Sequence, residues 1–65
     1  EARRLAQDAR REAEAAGSRG TAAFSTAVAL DQKGGQALQS GQPVAAARHF
    51  LAARLAFEGA RRGRP

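Results

Sequence analysis

Two apolar stripes run along opposite sides of the last third of this chain. Phe50 and Phe57 recur with Ala46, Ala53 and Ala60 at alternating spacings of four and three, which places all five on one face of a helix. Leu51 and Leu55 share the opposite face with Val44 and Ala47. A helix that is apolar on two sides has to be covered on two sides. The pattern therefore predicts a helix over about 43–62 that serves as an inner element of a helical packing.

Two further helices precede it. Over 1–16, Ala2, Leu5, Ala9, Ala13 and Ala16 form a single stripe, while Arg3, Arg4, Asp8, Arg10, Arg11, Glu12 and Glu14 occupy the other sides. Arg4 with Asp8, and Arg10 with Glu14, lie one turn apart and are expected to pair. Gly17 suits the left-handed residue that closes a helix, and residues 18–20 make a short connector. Thr21 is a natural N-cap, since its hydroxyl can accept a free amide of the first turn. From it a second helix is expected over 21–40, with a seam of Ala23, Ala27, Leu30, Gly34 and Ala37 widened by Phe24, Val28 and Leu38. Gly34–Gly35 costs that helix about 1 kcal/mol per glycine relative to Ala, so either a neighbouring backbone approaches closely there or the helix breaks. Gly41 ends the helix, and Pro43 fits the first turn of the next. A gap this short makes the second and third helices an antiparallel hairpin.

The fold class predicted is therefore all-α: three antiparallel helices over about 1–16, 21–40 and 43–62, in one small domain of 65 residues or a fragment of a larger protein, with a basic tail over 61–65. The Phe50/Phe57 stripe, with Ala46 and Ala53, is expected to pack on Ala23, Ala27, Leu30 and Gly34. The first helix either covers the Val44/Leu51/Leu55 stripe or extends away from it.

Of 28 hydrophobic residues, 18 are Ala and only ten are large, so the core is thin and the chain is marginal by itself. A neighbouring stretch of chain or a partner subunit is expected to complete it. The sequence begins at Glu1 without methionine, as a processed or excised piece would. Ten arginines to one lysine, together with the abundance of Ala, fit a GC-rich bacterial genome. With no cysteine there is neither a disulfide framework nor a thiolate metal site, and the compartment is left open between cytoplasm and elsewhere. No stretch approaches the ~20 apolar residues of a membrane span.

Residues 30–57 resemble one tetratricopeptide-type helical hairpin, through Leu30, Lys33–Gly34, Ala37, Gly41, Ala46, Phe50 and Ala53. The small positions Gly34, Gly41, Ala46 and Ala53 match. Lys33 stands where Leu is usual, Ala37 where an aromatic is usual, and Glu58 where the repeat carries Pro. More loosely, residues 9–60 look like the Ala-rich tetratricopeptide-like hairpins of accessory segments in large bacterial proteins. The resemblance implies scaffolding or protein binding, with one repeat's length present where about three make a free-standing solenoid.

Candidate chemistry is sparse. His49 is the lone histidine and shares its face with Ala45, Ala52, Ala56 and Ala60, whereas a zinc site needs three or four ligands. Asp31 interrupts the apolar face of the second helix and is expected to be paired, with an arginine or His49, or to sit at an edge. The serines and threonines have no adjacent base. Gly17–Thr21 lacks the lysine and preceding strand of a phosphate-binding loop. No catalytic, cofactor or metal residues are therefore assigned, and no enzyme is expected.

A formal net charge of +5 would suit nucleic acid, but the arginines are dispersed and no aromatic is interleaved with them. The sequence points to a non-enzymatic interaction or assembly module. Val44, Ala47, Leu51 and Leu55 form the candidate interface toward a protein partner or a homo-oligomer. A small basic nucleic-acid-binding protein is the alternative.

Overall fold

The computed structural model describes residues 2–17 and 19–62. Three helices make up the fold: α1 (Ala2–Ala15), α2 (Ala22–Gln39) and α3 (Pro43–Arg62). Ser18 and residues 63–65, parts of the expected connector and basic tail, lie outside the described residues. Arg61 and Arg62, the first residues of that tail, belong to the last turn of α3, as the helix expected over 43–62 has them.

Local chemistry sets the helix ends. The Thr21 hydroxyl accepts from the Phe24 amide at 3.1 Å, capping α2. Gly41 takes φ +74°, and the amides of Gly41 and Gln42 donate back to the carbonyls of Leu38 and Ala37 at 3.1 and 2.9 Å. This doubly bonded closure reverses the chain within two residues and needs a left-handed residue at position 41. Gly17, at φ +82°, ends α1 in the same conformation. Gly34 and Gly35 do not break α2, which runs through both.

The core is a row of small residues broken by three rings. α3 contributes Ala46, Phe50, Ala53, Phe57 and Ala60, all buried; α2 contributes Phe24, Ala27, Gly34 and Ala37; α1 contributes Ala6, Ala9 and Ala13. α1 and α2 each pack on α3 and barely touch one another. Phe50 and Phe57 explain why. Their rings project from α3 into the space between the other two helices. Phe57 meets Phe24 edge-to-face at 5.3 Å between centroids, and Phe50 lies against Gly34. Arg10 lies over the Phe24 ring and Arg3 over the Phe50 ring, at 5.8 and 5.9 Å, so α1 covers the aromatics with cations as well as alanines.

Four expectations need correcting. In α1 the buried stripe runs through Ala6 and not through Leu5, which is 37 % exposed, and Ala16 lies in the turn after the helix. A methyl group at position 6 lets α1 approach the alanine row of α3, where an isobutyl group would hold it off. In α2, Ala23 faces solvent and Phe24 takes its place in the seam, because the larger ring reaches Phe57. The close approach at Gly34 comes from the Phe50 side chain, not from a backbone. Asp8 lies 4.0 Å from Arg11 and not beside Arg4, whereas Arg10 and Glu14 pair at 3.3 Å as expected.

Candidate functional site

α1 runs parallel to α3: Arg3 at the start of α1 sits over Phe50 in the first half of α3, and Arg61 donates to Glu12 at 2.9 Å near the end of both. In that position α1 neither covers the Val44/Leu51/Leu55 stripe nor extends away from the bundle. It shares the Phe50/Phe57 face with α2 and leaves the back of α3 open. Val44 is 68 % exposed, Leu55 66 % and Leu51 43 %, while Ala47 is half-buried beside them.

Leu5 and Leu38 are also exposed, so half of the ten large apolar side chains lie on the surface. A depression of about 150 Å³ at the open end of the bundle is lined by Ala2, Leu38, Pro43 and Ala47 among others, and it joins Leu38 to the stripe on α3. Next to it lies an open groove of about 350 Å³ walled by Gln32, Gln36 and Gln39, with Arg3 and Leu38 at its rim. The spacing within α1 and α2 did not single out Leu5 or Leu38 as surface residues. Both looked like core residues because they fall next to true core positions.

The packing residues expected from sequence are distributed as follows. Ala27, Gly34, Ala46, Phe50, Ala53 and Phe57 come together in the core, Leu30 is half-buried at its margin, and Ala23 is outside. Asp31 makes no ion pair among the described residues, and its Oδ1 is shielded from solvent without a hydrogen-bond partner. It reaches neither His49 nor an arginine. Of the two expectations for Asp31, pairing is not seen among the described residues, and its half-buried place at the margin of the apolar face fits the edge position. Among the described residues no three His, Cys, Asp or Glu side chains gather as metal ligands would. Nor is any helix long and apolar enough to cross a membrane.

Charge is partly neutralised in place. Arg10, Arg11, Arg54 and Arg61 pair with Glu14, Asp8, Glu58 and Glu12, the Arg54–Glu58 contact being 3.1 Å along α3. All three phenylalanine rings are buried. No protein-family model matches this chain, and neither the curated proteins nor the solved structures contain a match.

Proposed function

We propose that the chain is a non-enzymatic interaction or assembly module that docks through the back of α3, with Val44, Ala47, Leu51 and Leu55 as the contact. The observation that carries this reading is the exposure of Val44, Leu51 and Leu55 on a helix whose other side is already the core. A 65-residue chain with ten large apolar side chains gains most by burying them, so a row of them left in water is costly without an occupant. The hairpin of α2 and α3 is read as tetratricopeptide-like on the strength of Gly34 against Phe50 and the buried Ala46 and Ala53, a design that presents helix faces to other proteins.

Binding of nucleic acid is the lesser reading. Four cations are already paired, and buried rings offer bases no stacking platform. Thiol footprinting tests the interaction reading directly. Leu51→Cys and Leu55→Cys are labelled in the cells that make the protein and again in the dilute purified chain, with Ser25→Cys, on the exposed side of α2, as control. Protection of positions 51 and 55 in the cell, with position 25 equally reactive in both settings, is the expected result. Equal reactivity of all three in both settings overturns the reading.

A further inference from the structure

Resting on that reading, the geometry points to a second copy of this chain as the occupant of the back of α3, joined in an antiparallel twofold pair centred on residue 53. The back of α3 carries its own seven-residue pattern, separate from the core pattern. Val44, Leu51 and Glu58 form one row, and Arg48 and Leu55 the adjacent row. In an antiparallel helix pair the two rows interlock, so that Leu51 and Glu58 of one row meet residues of the other row on the partner.

A twofold axis level with Ala53 places Leu51 opposite the partner's Leu55, and Leu55 opposite the partner's Leu51, because these two positions are equidistant from 53. The same axis places Arg48 opposite the partner's Glu58, and Glu58 opposite the partner's Arg48. Within the segment 48–58 apolar residues thus meet at the middle and opposite charges at both flanks, with no charge left against its like; Val44 falls level with position 62 of the partner, beyond that segment. A parallel pair in register would set Arg48 against Arg48 and Glu58 against Glu58, which like charges disfavour. The pattern is therefore self-complementary in one direction only, as an isologous interface requires.

The side chains are available for these roles. Arg48 is exposed and makes no ion pair among the described residues. Glu58 is half-buried and held by Arg54 at 3.1 Å, which fixes its carboxylate at the flank of the stripe with lone pairs to spare. The paired segment from 48 to 58 is about 15 Å long at 1.5 Å per residue, shorter than a standard protein interface would occupy. Association is accordingly weak and dependent on concentration.

Sedimentation equilibrium of the full chain from micromolar to millimolar concentration is the test. The wild type should move from 6.8 kDa toward twice that mass. Arg48→Glu and Glu58→Arg, each alone, should weaken association at least tenfold, since each sets like charges opposite one another at both flanks. An equimolar mixture of the two single variants should associate as the wild type does, because every flank then pairs opposite charges. The double variant Arg48→Glu/Glu58→Arg should also recover, and circular dichroism checks that all variants keep their helix content. A mixture no tighter than the single variants overturns the antiparallel register. A wild type that stays at 6.8 kDa throughout overturns the second copy as occupant. Footprint protection in the cell alongside that monomer would leave the interaction reading standing with a different protein as partner, so the two failures are distinguishable.

Discussion

A methyl group at position 34 would lie 2.6 Å from a Phe50 ring carbon, whereas one at position 35 would meet nothing within 4 Å. Adjacent glycines in the same helix thus have opposite reasons to exist. Gly34→Ala should destabilise by about 1–3 kcal/mol, because the buried Phe50 ring has to shift in a filled core. Gly35→Ala should stabilise by up to about 1 kcal/mol, the helix preference of Ala over Gly. Urea denaturation of the two variants reads the difference, and equal effects of the same sign would refute the close approach at Gly34. Thr21→Ala should cost about 1 kcal/mol by the same measurement, since it leaves the Phe24 amide without its cap. Caps and turns were legible in the sequence because they depend on groups within five residues of one another. The choice between Ala23 and Phe24 was not. The two frames lie one residue apart on α2, and what selects Phe24 is Phe57 on another helix.

At the scale of the helix, α3 is the element to which the rest is fitted. Its front row reads correctly from spacing alone because Ala46, Phe50, Ala53, Phe57 and Ala60 repeat without interruption. α1 was harder to place. A stripe of alanines gives no direction and no depth, and the decisive contacts are Arg3 over Phe50 and Glu12 with Arg61, which join residues distant in sequence. Those contacts differ in weight. Arg61 and Glu12 are 40 % and 58 % exposed, so Arg61→Ala should change stability by less than about 1 kcal/mol, as exposed ion pairs generally do. Phe57→Ala removes a fully buried ring that meets Phe24 edge-to-face and should cost about 3–5 kcal/mol, enough to unfold a small domain. Thermal unfolding followed by circular dichroism separates the two. A larger loss for Arg61→Ala than for Phe57→Ala would mean that α1 is held by charge and not by the aromatic wedge.

For the molecule as a whole, the same scarcity of large side chains that thins the core makes the exposed ones informative. The bundle is a rod of 38 × 19 × 13 Å, too slender to surround α3, and one side of that helix is left over. Sequence pattern revealed the two-sided helix. It did not reveal which of two neighbours took which side, since that is settled by the aromatic wedge and by the parallel run of α1. The two faces of α3 divide the labour: the Phe50/Phe57 face builds the core and the Leu51/Leu55 face lies exposed. Unfolding of Leu51→Asp/Leu55→Asp beside Phe57→Ala, in dilute solution where association is negligible, tests that division most directly. The double variant should keep its helix content and a cooperative transition, losing no more than about 1–2 kcal/mol, chiefly from the lower helix preference of Asp. If it instead unfolds as completely as Phe57→Ala, the stripe is part of the core and the back of α3 is not an interface.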